Sequence, residues 1–209
     1  MSMARSTQSA GGVAGNISAG FADPVHDAQA AFRSVLNALA RPGRRFAIGT
    51  SLKGLALGPA MAHLLLALTD DDTPVWWQQS EGTITDWLRF HTGAPIVSMP
   101  GAAAFAVVVD ARYMPLLRSF AMGSVESPER SVTVLVEVPS LDDGPAVEWL
   151  GPGIANVQVV RIAGLPNNFW TQWQANHAAF PQGADIVFTC ANTALGLPRT
   201  TRVRRLEAI

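Results

Sequence analysis

Helix-like and strand-like segments alternate through the first half of this chain, and strands gather in the second half. That order restricts the fold more than any other feature, because alternating elements bury their apolar sides by laying helices against a sheet. Asp23-Pro24 opens the first segment, with Asp suited to capping free N–H groups and Pro to the first helical turn. Ala28, Phe32, Val35, Leu36 and Leu39 follow at helical spacing as its apolar side, and Pro42-Gly43 closes it. Further helices are predicted over Pro59 to Leu68, Ile84 to His91 (with Thr83 as cap and Gly93 as terminator), 112–119, and Asn167 to Ala178.

The strand predictions are Arg44 to Ile48, Pro74 to Gln78, Pro95 to Ser98 and Phe105 to Asp110, then Val132 to Val138, whose VTVLVEV is the strongest strand signal in the chain. Ala146 to Leu150 and Val157 to Ala163 follow, joined by a Gly151-Pro152-Gly153 turn, and then Ile186 to Cys190 and Thr200 to Leu206. The expected fold class is α/β, a single-domain mixed β-sheet flanked by helices. At 209 residues the chain has room for one large domain, set at 21–209 behind a Ser/Gly/Ala-rich tail over 1–20 that is expected to be disordered.

Composition excludes several classes of function. Hydrophobic residues are 48% of the chain and charged residues 15%, so wholesale disorder is excluded. A formal charge of -1 supplies no general field for nucleic acid or an anionic membrane. One cysteine, Cys190, supports neither a disulfide framework nor an iron–sulfur or all-cysteine metal site. No span is apolar enough for a bilayer and no secretory signal is evident, so a cytoplasmic protein is expected. Lys53 is the only lysine beside fourteen arginines, and it lies in what reads as a flexible turn. A pyridoxal enzyme requires a Schiff-base lysine, and no internal aldimine is expected here.

Several clusters could carry chemistry. In Arg89-Phe90-His91-Thr92-Gly93, Arg89 and Thr92 can hold an anion and His91 can move a proton. The same cations also suit the carbonyl end of a helix. In Pro198-Arg199-Thr200-Thr201-Arg202, guanidinium groups and hydroxyls make a phosphate grip, or else a charged strand that guards a sheet edge. Strand alternation would divide this cluster, with Arg199 and Thr201 on one face and Thr200 and Arg202 on the other. Glu126 and Glu129 form a carboxylate pair in a Ser/Gly/Pro loop, where acid–base work and a plain surface loop are both open. Asp70, Asp71 and Asp72 read as a helix stop more than a Mg²⁺ site, Cys190 as an inert buried thiol, and His63 as a core histidine.

Seven segments in order resemble a known family. They are HDAQAAFRSVLNALARPG (His26 to Gly43), DDTPVW (Asp71 to Trp76), RFHTGAPIV (Arg89 to Val97), the Pro128-Glu129 loop, GPGI (Gly151 to Ile154), FPQGADIVFTC (Phe180 to Cys190) and LPRTTRV (Leu197 to Val203). The chain resembles PhnH, the H subunit of the bacterial carbon–phosphorus lyase system for phosphonates, over about residues 21–206. The resemblance implies a subunit of a core complex with the G, I and J subunits, a homodimer when isolated. It also implies support for forming ribose 1-alkylphosphonate 5-triphosphate from ATP and an alkylphosphonate. It further implies a fold like the large domain of pyridoxal-phosphate-dependent transferases, with no cofactor and no metal. A free-standing transferase on a phosphorylated or nucleotide substrate and a non-catalytic scaffold are the alternatives. No catalytic residue carries over. Arg89, His91, Thr92, Glu129, Arg199, Thr200 and Thr201 are the candidate anion or phosphonate/nucleotide contacts. Six tryptophans can build either a partner interface or the chain's own core.

Overall fold

A computed structural model describes residues 17–79 and 82–206. The first helix, α1 (Pro24–Ala40), starts as expected, with the Asp23 carboxylate accepting from the amides of Val25 and His26. Its buried side is narrower than predicted. Ala31, Val35 and Ala38 face inward, whereas Phe32 and Leu36 are half exposed. Small residues line the buried stripe because α1 lies unusually close to the sheet.

The chain continues through β1 (Arg45–Ala47), α2 (Pro59–Leu68), β2 (Val75–Trp77), α3 (Thr83–Thr92), β3 (Ile96–Val97), β4 (Phe105–Val108) and β5 (Thr133–Glu137). It ends through β6 (Ala146–Leu150), β7 (Gln158–Arg161), α4 (Phe169–Ala178), β8 (Asp185–Cys190), β9 (Thr193–Leu197) and β10 (Arg202–Arg205). Gly82, not Thr83, is the residue before α3, and Gly93 ends that helix with φ +77°.

Seven strands form one mixed sheet in the order β1-β9-β8-β5-β4-β2-β3. The five from β8 to β3 are parallel, while β9 is antiparallel to both β8 and β1. The central strands are apolar on both faces because both faces are covered. Val107, Leu135, Val187 and Ala194 point to the side covered by α1, α2 and α3. Ala106, Val108, Val134, Val136, Ile186 and Phe188 point to the other side. That second side is closed by α4 together with a separate antiparallel sheet, β10-β6-β7, which contributes Val147, Trp149, Val160 and Val203. The mixed sheet flanked by helices is therefore present, with part of one helical layer replaced by a second small sheet.

Three expectations need correction. The helix predicted over 112–119 is two 3₁₀ turns, Ala111–Tyr113 and Leu117–Ser119, separated at Pro115, whose ring is incompatible with a continuous helix. The final strand starts at Arg202, so Arg199, Thr200 and Thr201 belong to the turn before it and not to an alternating strand. Strand β9 was not predicted at all. Its TALGL is poor in strand-favouring residues, and it follows β8 through a two-residue turn in which Ala191 takes φ +49°. Gly196 serves packing, since an added methyl would lie 2.5 Å from the carbonyl carbon and oxygen of Ala38 in α1.

Of the tail expected over 1–20, residues 1–16 lie outside the described residues. Residues 18–20 run as a strap across the α2–α3 side. The Ser18 hydroxyl donates to the Gly54 carbonyl at 2.8 Å, and the Ala19 carbonyl accepts from Trp87 Nε1 at 3.3 Å. The tryptophans fill the chain's own core: Trp77, Trp87, Trp149, Trp170 and Trp173 are buried, and Trp76 is partly buried. Among the described residues, no helix is long and apolar enough to cross a membrane.

Candidate functional site

The last turn of α3 places Arg89, His91 and Thr92 close in sequence but gives them separate contacts. Thr92 Oγ1 donates to the Leu88 carbonyl at 2.8 Å and accepts from the Ala94 amide at 3.1 Å, satisfying backbone groups where the helix ends. His91 Nε2 lies 3.0 Å from the Ser18 carbonyl, which can only accept, so Nε2 carries the proton. Its ring stands edge-on to Trp87 at 5.5 Å, and the Gly20 backbone rests against its other side. Arg89 reaches Asp86 at 3.8 Å and leaves its guanidinium about half exposed. One residue caps the helix, one holds the strap, and one faces solvent.

The second cluster gathers around Arg199. Its guanidinium pairs with the Asp185 carboxylate, with Nη2 2.5 Å from Oδ2 and Nε 3.2 Å from both oxygens. Nη1 donates to the carbonyls of Pro128 at 3.0 Å and Pro181 at 3.2 Å, and Nη2 also donates to Ser131 Oγ. The Arg199 amide donates to Asp185 Oδ1 at 2.7 Å. With side chains only 14% and 22% exposed, this is a largely buried pair whose donors are committed inside the protein. The three segments Pro128-Glu129, FPQGADIVFTC and LPRTTRV therefore meet at one guanidinium.

Glu129 is exposed on the loop held there, and it is the Pro128 carbonyl that touches Arg199. Thr200 is half-buried. Thr201 is fully buried, and its carbonyl accepts from Trp173 Nε1 at 2.9 Å. The seven residues thus divide between the end of α3 and the turn before β10.

A different set of polar groups meets at the C-terminal ends of the parallel strands. Ligands in open α/β sheets bind outside these ends, where the strand order reverses. Here the reversal lies between β2 and β4, since the chain moves outward to β3 and then returns to β4 and β5. Gln78 closes that gap, its amide nitrogen donating to the Asp110 carbonyl at 3.0 Å and its amide oxygen accepting from the Asp110 amide at 2.9 Å.

Beside it lies a cavity of about 500 Å³ lined by Asp110, Arg112, Glu137, Pro139 and Gly164 among others. The Asp110 carboxylate accepts from Arg112 Nε at 2.9 Å and Nη2 at 2.7 Å. This hydrogen-bonded guanidinium holds the Asp110 carboxyl below its usual range. Glu137 behaves in the opposite way. Burial at the end of the central strand pushes its carboxyl up, and a hydrogen bond from the Gly58 amide at the start of α2 offsets only part of the shift. A methyl added at Gly58 would overlap Glu137 Oε1, so the carboxylate would have to swing away from the start of α2 to make room.

The arrangement places one firmly ionised carboxylate–guanidinium pair and one carboxyl biased toward its neutral form around the same cavity. A polar small molecule entering the cavity would meet both groups. Among the described residues, no three His, Cys, Asp or Glu side chains group as metal ligands. Sequence reasoning passed over Glu137 because VTVLVEV reads first as a strand. The available signal was a lone carboxylate near the C-terminal end of an otherwise apolar run.

The family described as bacterial phosphonate metabolism protein (PhnH) matches residues 19–204. A protein of Rhizobium meliloti (strain 1021), alpha-D-ribose 1-methylphosphonate 5-triphosphate synthase subunit PhnH, is 41% identical over 191 residues. That match covers 90% of this chain and 96% of the relative. A putative C-P lyase subunit protein, HtxG, of Stutzerimonas stutzeri is 32% identical over 177 residues, covering 84% of this chain and 85% of the relative.

Proposed function

The chain belongs to the PhnH family of bacterial phosphonate metabolism proteins, and from that premise we propose that it is a subunit of a carbon–phosphorus lyase core complex in phosphonate catabolism. In that complex it supports formation of a ribose 1-alkylphosphonate 5-triphosphate from ATP and an alkylphosphonate. The observation that carries this reading is the 41% identity to a synthase subunit across nearly the full length of both chains.

The partners of this reading are the G, I and J subunits, in the cytoplasm, with self-association into a homodimer when they are absent. The fold is read as a cofactor-free counterpart of the large domain of pyridoxal-phosphate-dependent transferases. The geometry favours a subunit over a free-standing transferase built on Arg89, His91 and Arg199. Arg199 is occupied by Asp185, and His91 is bonded to Ser18. Arg89 keeps an exposed guanidinium that can meet an anion at a subunit boundary. A small molecule entering the cavity at the strand ends would meet Glu137 and Arg112.

Co-expression with the G, I and J subunits, followed by native mass spectrometry, tests the reading. A defined complex containing this chain is expected. A stable homo-oligomer that ignores all three partners would overturn it.

A further inference from the structure

A second cleft, of about 390 Å³, lies between the first turns of α1, the side of α2 and the loop after β1, beneath the strap at residues 19–22. Asp27, Thr50, Ser51, Lys53 and His63 line it. Two of these are singular in the chain. Lys53 is the only lysine, and His63, 5% exposed, is a buried histidine within a leucine-rich helix.

The His63 ring is fixed on several sides. Nδ1 lies 3.0 Å from the Pro59 carbonyl, which can only accept, so Nδ1 carries a proton and, in the Nδ1–H tautomer, Nε2 is the acceptor. Phe21 of the strap stands edge-on to the ring at 5.2 Å, and the Gly49 backbone, at φ +66°, lies directly against it. A core histidine needs no cation and no hydroxyls around it. This one shares a cleft with Thr50, Ser51 and Lys53 of one exposed loop, and with Asp27 of α1, whose Oδ2 accepts from the Asp23 amide at 3.0 Å while Oδ1 has no such partner among the described residues.

The donors and acceptors are segregated by element. Thr50, Ser51 and Lys53, all on the loop after β1, offer two hydroxyls and a positive charge, which suit a tetrahedral oxyanion. His63 and Asp27, on the helices, offer acceptors, which suit hydroxyl groups. The volume is at the small end of the range of about 300–1,000 Å³ typical of small-molecule sites.

We propose that this cleft binds a small hydroxylated phosphoryl or phosphonyl anion. Lys53, Ser51 and Thr50 hold the oxyanion, and His63 Nε2 and Asp27 accept from hydroxyl groups on the same ligand. The choice of a phosphorus oxyanion rests on the phosphonate reading above, whereas the pairing of anion with hydroxyls rests on the cleft alone.

Calorimetric titration of the full chain with three probes tests the proposal: ribose 5-phosphate, methylphosphonate and ribose. Ribose 5-phosphate is expected to bind at least about tenfold more tightly than either single-feature probe. Lys53→Met, at an exposed position, should weaken ribose 5-phosphate and methylphosphonate by about tenfold or more. His63→Leu, which removes the acceptor, should remove the advantage of ribose 5-phosphate over methylphosphonate. Because that variant changes a buried residue, the His63 ring nitrogens of the unaltered chain supply a second readout. Their long-range ¹H–¹⁵N signals should show Nε2 moving on addition of ribose 5-phosphate while Nδ1 keeps its proton.

The proposal is overturned by the absence of saturable binding of ribose 5-phosphate up to about 10 mM, by Lys53→Met binding as the parent does, or by equal affinity for ribose 5-phosphate and methylphosphonate. Binding of the probes by a chain that ignores the G, I and J subunits would leave this site standing and remove the subunit reading. A chain that assembles but binds none of the probes would do the reverse.

Discussion

Replacing Arg199 by alanine strips six side-chain hydrogen-bonding contacts from a largely buried site and leaves the Asp185 carboxylate with only the residue 199 amide as a strong donor. Breaking one side of a buried ion pair costs about 3–5 kcal/mol, because the remaining charge stays desolvated. A chain of this length shifts its Tm by about 2–4 °C per kcal/mol, so the midpoint should fall by about 10 °C. Arg199→Lys retains the charge but has three donors without the planar fork, and should lose about half as much. Combining Arg199→Met with Asp185→Asn should recover part of the loss, since the amide removes the stranded charge while its oxygen still accepts from the residue 199 amide. Thermal and urea unfolding, both followed by tryptophan fluorescence, read the Tm and the free energy, because five of the six tryptophans are buried and report on the core. An Arg199→Ala chain within about 1 kcal/mol of the parent, with phosphonate-dependent growth lost, would refute the structural argument and return Arg199 to a ligand-contacting role.

Three further outcomes follow from the geometry. The raised Glu137 carboxyl favours its neutral form in the fold, so its stabilisation is complete below the ordinary value of 4.5 and is lost as pH rises through the folded pKa. Urea titrations across that window should therefore show the parent losing stability relative to Glu137→Gln as pH rises, and a pH-independent difference would contradict the burial argument. Gly196→Ala forces a methyl into the α1 backbone and should cost about 1–3 kcal/mol by chemical denaturation, with no change if α1 can move aside freely. Trp173→Phe keeps most of the ring but leaves the buried Thr201 carbonyl without its indole donor, and should cost about 1–3 kcal/mol in the same assay.

Local chemistry made much of the fold legible in the sequence. The bounds of α2 follow from Pro59, an apolar run and the Asp70-Asp71-Asp72 stop, and α1 follows from Asp23-Pro24 and Pro42-Gly43. Both helices carry their start and stop signals within a few residues of their ends. Strand β9 was hidden because its Ala and Gly serve α1, about 150 residues earlier, and not the pleat of the strand itself. The exposed Phe32 and Leu36 were misread for a related reason, since the same close approach selects the alanine stripe of α1 and turns the larger side chains outward.

The candidate sites divide along the same line. Sequence alone determined the alternating elements, the family resemblance and the residues of the Arg199 motif, because each is written in neighbouring positions. Only the tertiary structure decided that Arg199 is answered by Asp185, Ser131 and Pro128, brought from fourteen to seventy-one residues away. It also decided that Glu137 ends its strand against the Gly58 amide, and that Lys53 shares a cleft with His63. A side chain's partners and its burial are set by what folds over it, and spacing along one chain does not carry that information.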